Sequence, residues 1–355
     1  MQIKYKDSPI VFTELSYVSD DGSFVLQDTE HSSTLVYTPV LKLDNEYNVD
    51  NFTCLVLNNE NAACTENSIF QLYVKDQRIG WIFPIQSLLS SDHDCAQNKY
   101  FLKYAYVATY LLLRDIECLD KLLTPSYIDL DKFYESKKCI CVIDHENTAK
   151  IEDFDIENYV VSLFKHGYSF FGRGNLLADM PAGGVNKRLQ LTPISKDLCK
   201  NPYINHLFKA QFPNADNPLV CFHLCYQIIE LLISVVFDNK LKTIVEKLEK
   251  QPESLFDLRE ELNEMVGEKK RVNWLFSQYV RISSTVELKL ACEKLLNANQ
   301  KAISPSYSDD LYSVRCLLVH KLYSITKESY KILEELNKVL LPIVIEMLCS
   351  FQIPS

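Results

Sequence analysis

The sequence predicts an α+β protein in which a β-rich mixed domain comes first and an all-helical domain follows. Over roughly the first 95 residues, short β-branched and aromatic stretches alternate with turn signals rich in Asn and Asp, which is typical of strands. From Pro218 onward, apolar residues recur at helical spacing instead. The chain of 355 residues is long enough for two hydrophobic cores. We therefore place the two domains at 1–200 and 205–355.

The N-terminal domain is predicted to be a sandwich-like or barrel-like sheet with helical additions. Its first predicted strands are Ile10–Val18, Ser23–Leu26, Thr34–Leu43, Phe52–Leu57, Ile69–Val74 and Ile79–Ile85. Residues 98–123 have helical spacing without Gly or Pro, so we expect one or two helices packed on the sheet. Strand-like alternation returns at Lys137–Ile143 and Tyr159–Phe171. No catalytic signature stands out here, and a sensor or regulatory module is the working hypothesis for this domain.

The helical domain is organised around a helix predicted at Ser308–Ile325. Pro305 and a Ser306-x-x-Asp309 capping pattern mark its start. One apolar face is formed by residues at helical spacing: Leu311, Val314, Leu318, Leu322 and Ile325. The other predicted helices are 220–237, Lys240–Lys250, Ser254–Met265, Lys269–Tyr279, Val286–Asn297 and Lys327–Phe351.

Arg315 and His320 lie on the Ser308–Ile325 helix outside the centre of its apolar face. They are five positions apart, which places them roughly 140° from each other around the helix axis. Arginine offers a fixed fork of donors to phosphate oxygens, and histidine transfers protons near neutral pH. The pair therefore suits metal-independent RNA hydrolysis. The alternative is an exposed histidine and an arginine that bridges to a nearby acid.

Glu230 is the second candidate site residue, because it interrupts an otherwise apolar helix. The segment from Pro218 to Phe237 is apolar on nearly every side, so this helix is expected at the centre of the domain. A polar stripe crosses it at His223, Tyr226, Gln227, Glu230 and Ser234. A buried carboxylate requires a partner, and we predict that Arg315 pairs with Glu230. The alternative is that the stripe faces solvent or a partner subunit.

Lys269-Lys270-Arg271 is the densest basic cluster of the chain. It is a candidate contact to an RNA backbone, and the alternative is a solvated helix start. No metal site is predicted. Cys139 and Cys141 fit a half-buried strand, and in 221–225 a helix would point the central histidine away from the two flanking cysteines.

Composition excludes several classes of protein. The net charge of −10 argues against a general duplex-DNA binder, although it leaves room for a local basic groove. The twelve cysteines are scattered and no secretory signal is present at the N-terminus, so we expect reduced thiols in a cytoplasmic protein. No apolar run reaches the roughly 18 residues of a membrane span. No cofactor motif was found.

The residues Arg315-Cys-Leu-Leu-Val-His320, within a late helix of an all-helical segment, resemble the Arg-(four to six residues)-His motif of HEPN domains. These are small helical bundles found in many prokaryotic ribonucleases of toxin and anti-phage systems. The Glu230 helix is also similar, because an early helix of these domains often carries a glutamate near the Arg/His site. The resemblance implies an endoribonuclease in which His320 is general base or acid, Arg315 stabilises the phosphate and Glu230 orients Arg315.

The resemblance further implies a homodimer formed through the Ser308–Ile325 helix, with RNA as substrate. A composite site across a two-fold axis would bring the histidine of one chain to the arginine of the other. A phage-derived trigger or a regulatory protein is a further expected partner. Family members usually carry a polar residue directly after the arginine, whereas this chain has Cys316. The alternative function is therefore a non-catalytic HEPN-type binding or regulatory protein.

Overall fold

The computed structural model describes the residues 2–5, 8–11, 14–18, 23–28, 33–37, 49–59, 64–89, 92–114, 138–170, 187–199, 201–250, 255–322 and 325–354. Contacts between residues divide the chain into two compact units. The described parts of Met1–Asp155, His166–Arg173 and Leu177–Leu191 form a β-rich unit. Those of Ile156–Lys165 and Thr192–Ser355 form a helical unit. The chain has the predicted α+β class, with a curled mixed sheet followed by helices.

The strands of the β-rich unit fall into three sheets. They are β1 (Gln2–Tyr5), β2 (Ser8–Val11), β3 (Glu14–Val18), β4 (Ser23–Asp28), β5 (Ser33–Tyr37), β6 (Phe52–Asn59), β7 (Phe70–Val74), β8 (Gln77–Pro84), β9 (Lys138–Asp144), β10 (Tyr168–Ser169) and β11 (Arg188–Leu191). The main sheet has the order β10-β6-β9-β8-β7-β11, and all its pairs are antiparallel except β11 with β7. A meander β3-β4-β5 and a hairpin β1-β2 complete the set.

Strands β8 and β9 approach each other so closely that one position must be glycine. Gly80 is paired with Ile143 in the antiparallel register. A Cβ atom at Gly80 would lie 2.0 Å from the carbonyl oxygen of Val142. Any side chain there would therefore push the two central strands of the sheet apart.

The helix α2 (Lys99–Arg114) covers one face of the main sheet. Its buried residues recur at helical spacing and are Phe101, Tyr104, Val107, Ala108, Leu111 and Leu112. They pack against sheet residues that include Trp81, Phe83, Ile140 and Val142. The helix predicted at 98–123 is thus present as far as Arg114, and its last part lies outside the described residues. Two short helices, α1 (Gln86–Leu89) and α3 (His145–Thr148), follow β8 and β9.

The strand predicted at Tyr159–Phe171 is wrong. The structure has a 3-10 turn at Ile156–Tyr159, the helix α4 (Val160–Lys165) and only the two-residue strand β10. Residues 160–164 are all buried, and Phe164 packs edge-on against Phe208 in the helical unit. A short, wholly apolar run gives no periodicity that separates strand from helix, so burial on every side decided the outcome.

The helical unit continues with seven further α-helices among its described residues, and π-helical turns extend two of them at Leu207–Gln211 and Leu275–Tyr279. They are α5 (Pro202–His206), α6 (Pro218–Lys250), α7 (Leu255–Val266), α8 (Glu268–Trp274), α9 (Thr285–Ala298), α10 (Tyr307–His320) and α11 (Lys327–Ser350). α9 packs on both α10 and α11, and α11 packs on α6. The amide nitrogen of the Asn337 side chain donates to the carbonyl oxygen of Pro218 over 2.7 Å, which ties α11 to the start of α6.

Helix α6 is one continuous element of 33 residues, whereas the sequence predicted two helices here. Residues 218–246 of this helix are long and apolar enough to cross a membrane. By contrast, no apolar run of that length was predicted from the sequence. More than half of its most apolar window is buried inside the structure. That burial is typical of the central helix of a soluble bundle.

Helix α10 ends earlier than predicted. It runs from Tyr307 to His320, and Lys321 leaves the helix with a φ of −131°. The predicted capping box is also absent, because the side chain of Ser306 makes no capping bond. The carboxylate of Asp309 instead accepts hydrogen bonds from Asn273 and Ser304. The predicted apolar face is otherwise present, since Leu311, Val314 and Leu318 are buried.

Candidate functional site

Arg315 lies where α10 meets both α6 and the first turn of α8. Its Nη2 atom donates to Oε1 of Glu230 over 3.3 Å, so the predicted pairing of these two residues is confirmed. Its Nε atom lies 3.7 Å from Oε1 of Glu268. The Arg315 side chain is 20% exposed. Two carboxylates from two different helices therefore hold one guanidinium at the surface of the bundle.

The ring of Tyr226 completes this group of residues. The guanidinium carbon of Arg315 lies 5.7 Å from the ring centroid, within the range of a cation–π contact. The hydroxyl of Tyr226 donates to Oε1 of Glu268 over 3.3 Å. We call Arg315, Glu230, Glu268 and Tyr226 the arginine cluster. Within it, the buried ring of Tyr226 and the half-buried carboxylate of Glu268 both contact the guanidinium.

The charges of the cluster follow from these contacts. Burial by itself lowers the pKa of the Arg315 guanidinium, but attraction to Glu268 and the hydrogen bond to Glu230 outweigh it, so the pKa lies above its ordinary value. Burial, with the negative charge of Glu268, raises the pKa of the Tyr226 hydroxyl. Arg315 is therefore a permanent cation, and Tyr226 stays protonated as a donor.

The structure corrects the predicted burial of Glu230 and adds Glu268 to the candidate site. Glu230 was expected to be buried, but its side chain is 44% exposed, and Gln227 and Ser234 of the same stripe are exposed as well. Gln227, Glu230 and Ser234 thus lie on the outer face of α6, whereas Tyr226 of the same stripe is buried. Glu268 was not predicted at all. An acidic residue opening a helix after Gly267 looks like an ordinary first-turn residue, so no sequence signal linked it to Arg315.

His320 is the last residue of α10 and is exposed. It makes no hydrogen bond or ion pair with any residue that the structure describes. Its neighbours Val319 and Leu322 are also exposed, at 43% and 39%. Within the described part of the chain, no contact joins His320 to the arginine cluster. One copy of the protein therefore presents the two residues separately.

Cys316, the residue directly after Arg315, is half-buried. Burial raises the pKa of the neighbouring Tyr312 hydroxyl, and a side-chain hydrogen bond to Cys316 raises it further. Tyr312 and Cys316 are one helical turn apart on α10.

The basic cluster at the start of α8 is partly bound to its own fold. Nζ of Lys269 lies 3.1 Å from a carboxylate oxygen of Asp309, although the lysine side chain is still about half exposed. The guanidinium of Arg271 lies 5.6 Å from the ring centroid of Phe237. Lys270 is exposed. Lys269 and Lys270 are thus exposed residues, whereas Arg271 packs on α6.

Asp310 is a structural residue of α10. It is fully buried and accepts hydrogen bonds from the Nζ of Lys289 over 3.0 Å and from the backbone nitrogen of Ser304 over 2.7 Å. These bonds join α9, the segment before α10 and α10 itself. This pairing satisfies a carboxylate that would otherwise be costly to bury.

The cysteine pairs considered for a metal site are core residues. Cys139 and Cys141 of β9 are buried, as are Cys221 and Cys225 of α6. The nearby His145 is exposed, and its Nε2 lies 2.7 Å from Oγ1 of Thr53. In the described ranges, no group of three or more His, Cys, Asp or Glu side chains is arranged to hold a metal ion.

Comparison with known proteins gives no match for this chain among protein-family models, among curated proteins or among solved structures. The function is therefore argued from the geometry and chemistry of the arginine cluster and His320.

Proposed function

We propose that this protein is a metal-independent endoribonuclease of a prokaryotic defence or toxin system, with a composite Arg315/His320 site at a dimer axis. The observation that carries the proposal is the pairing of two features on one helix. Arg315 is a permanent cation at the bundle surface, and His320 is an exposed histidine without a partner in the described ranges. These are the two groups that RNA transesterification requires.

In this reaction His320 takes the proton of a ribose 2′-hydroxyl. The 2′-oxygen then bonds to the adjacent phosphorus, and the bond from phosphorus to the 5′-oxygen breaks. The proton held by the His320 imidazole passes, through water, to the leaving 5′-oxygen, and the products are a 2′,3′-cyclic phosphate and a 5′-hydroxyl end. Arg315 stabilises the negative charge on the phosphate oxygens during this step.

A dimer would bring the two residues together. Five positions on a helix separate Arg315 and His320 by roughly 140° and about 7.5 Å along the axis, so one chain cannot easily direct both at one phosphate. A two-fold axis perpendicular to α10, passing between the two residues, would place His320 of one chain near Arg315 of the other. The exposed Val319 and Leu322 beside His320 provide apolar surface for that contact.

The remaining parts of the proposal follow the HEPN resemblance. Lys269 and Lys270 would contact the RNA backbone, with Arg271 contributing less because it packs on Phe237. The protein would act in the cytoplasm, and the β-rich unit would be the sensor or regulatory module. A phage-derived trigger or a regulatory protein would control the activity.

A non-catalytic binding or regulatory protein is the second candidate function. Two observations favour it: Arg315 is already engaged by two carboxylates and a ring, and a half-buried cysteine, Cys316, stands where family members usually carry a polar residue. In that case the arginine cluster would only join α6, α8 and α10.

The test is cleavage of total cellular RNA by the purified full chain in EDTA. We expect cleavage by the wild type with cyclic-phosphate ends, and its loss in Arg315→Ala and in His320→Ala. Arg281→Ala and His206→Ala are matched controls, because both residues are exposed in the same unit and lie outside the proposed site. Cleavage retained by the Arg315 or His320 variant would reject the proposed site. If the wild type is inactive, growth arrest on overexpression, present in the wild type and lost in both variants, separates a silenced enzyme from a scaffold.

A further inference from the structure

The two carboxylates that hold Arg315 differ in exposure and in their own partners. Glu230 is 44% exposed and meets Arg315 through a single 3.3 Å hydrogen bond. Glu268 is 23% exposed and also accepts the hydrogen bond of the buried Tyr226 hydroxyl. Glu268 is therefore fixed by a second contact within the cluster, whereas Glu230 can move into solvent at a small cost.

The two carboxylates also meet different atoms of the guanidinium. The Nε atom faces Glu268 and is buried, with no partner at hydrogen-bonding distance among the described residues. The Nη2 atom faces Glu230 at the exposed side of the cluster. Arginine binds phosphate through pairs of N–H groups on one edge of its fork. Glu268 thus occupies the buried Nε side of the guanidinium, and a ligand can reach the exposed Nη2 side.

We propose that Glu230 occupies the position of a substrate phosphate on Arg315, and that Glu268 is the positioning residue that holds Arg315 when the phosphate replaces Glu230. The ligand class is a phosphate or phosphodiester oxyanion. This inference rests on the proposed function, and it assigns Glu230 a role different from the orienting role that the HEPN resemblance implies. Arg315 would bind only anions that outcompete an exposed carboxylate, which keeps the site closed to weak anions.

Electrostatics predicts unequal effects of neutralising the two carboxylates. Glu230→Gln removes the competing charge and leaves the contacts of Arg315 with Glu268 and Tyr226 in place. Glu268→Gln also removes a negative charge, but it releases the buried Nε edge and costs the Tyr226 hydroxyl its charged acceptor. The first variant should improve anion binding, and the second should disturb the orientation of the guanidinium.

The experiment titrates inorganic phosphate into the full chain and follows the Nε–H resonance of Arg315 by ¹H–¹⁵N NMR, assigned by its loss in Arg315→Lys. We expect Glu230→Gln to bind phosphate about 2- to 5-fold more tightly than the wild type, the size expected for an exposed charge pair. We expect Glu268→Gln to shift or broaden the Nε–H resonance without phosphate and to show no such gain in affinity. Glu268→Asp keeps a carboxylate, so we expect it to restore the wild-type Nε–H resonance of Arg315. A purely structural role of Glu268 would not require this recovery. Glu287→Gln is the control for removal of an exposed carboxylate elsewhere in the unit.

The inference is overturned if Glu230→Gln binds phosphate no more tightly than the wild type, or if Glu268→Gln leaves the Nε–H resonance unchanged. It is also overturned if no variant binds phosphate through Arg315. RNA cleavage that depends on Arg315 and His320 would, in these cases, leave the proposed function standing. Conversely, the expected NMR result without any cleavage or growth arrest would support an anion-binding site and reject the nuclease. Circular dichroism of each variant checks that the helices remain folded.

Discussion

The guanidinium of Arg315 lies 5.7 Å from the ring centroid of Tyr226, and this contact joins α10 to α6. The hydroxyl of the same tyrosine bonds to Glu268 on α8. From its position on α6, Tyr226 thus contacts both α8 and α10. Its ring and its hydroxyl make separate contributions to the stability of the unit, which can be removed one at a time.

Tyr226→Phe keeps the ring beneath Arg315 and removes the hydrogen bond to Glu268. We expect it to lower the free energy of unfolding of the helical unit by about 1.5–3 kcal/mol, as for loss of a hydrogen bond to a charged group. Tyr203→Phe is the matched control, because it removes an exposed tyrosine hydroxyl bonded to Gln227 and should cost no more than about 0.5 kcal/mol. Urea unfolding followed at 222 nm measures both values, and equal costs would contradict the role given to the Tyr226 hydroxyl.

The Asp309 carboxylate makes the stability of the helical unit depend on acid pH. Burial by itself raises its pKa, but hydrogen bonds from Asn273, Lys269 and Ser304 outweigh this, so the pKa lies below the ordinary value of 3.8. A depressed pKa means that Asp309 stabilises the folded state above its unfolded pKa, and that this contribution is lost as the pH falls through the folded pKa.

We therefore expect the difference in unfolding free energy between the wild type and Asp309→Asn to stay constant from neutral pH down to about pH 5, and to shrink below pH 3.8. Thermal unfolding at several pH values, with Asp216→Asn as an exposed control in the same unit, measures it. If the difference in unfolding free energy instead grows towards low pH, the pKa of Asp309 is raised rather than lowered in the folded state.

Gly80→Ala should destabilise the β-rich unit more than Gly167→Ala. The added Cβ at Gly80 would lie 2.0 Å from the carbonyl oxygen of Val142, so the strands must separate, at a cost of about 3 kcal/mol. At Gly167 the added Cβ would make an ordinary contact, 3.9 Å from Oδ1 of Asn59, and only the positive φ of 89° is strained, which costs about 1–2 kcal/mol. Trp81 fluorescence in a Trp274→Phe background follows this unit during urea unfolding. The reverse order of stability would reject the close approach of β8 and β9.

Val319→Asp and Leu322→Asp test the proposed dimer. A charge on the apolar surface beside His320 should prevent association, so we expect the monomer mass in light scattering and loss of at least about 90% of RNA cleavage, since the composite site needs both chains. Val286→Asp is the control, because Val286 is also an exposed valine of the helical unit but lies on α9. A wild type that is already a monomer, or variants that remain dimers with full activity, would exclude a composite site formed along α10.

The sequence predicted some residues of the candidate site and missed another, for physical reasons. Arg315 and His320 could be predicted because the local spacing of apolar residues defines their helix. The Glu230–Arg315 pair was predicted because a carboxylate in an apolar helix needs a partner. Glu268 could not be predicted, because its link to Arg315 depends on how α8 packs against α10. No local pattern encodes that packing.

The sequence by itself determined the α+β class, the alternating strands from β6 to β9 and the amphipathic helices α9 to α11, because periodicity and turn residues are local properties. Tertiary structure alone decided that residues 160–165 are helical and that β11 pairs in parallel with β7. It also decided that α10 ends at His320. Each of these depends on what the segment is buried against, and contacts between residues distant in sequence override local propensity where the local signal is weak.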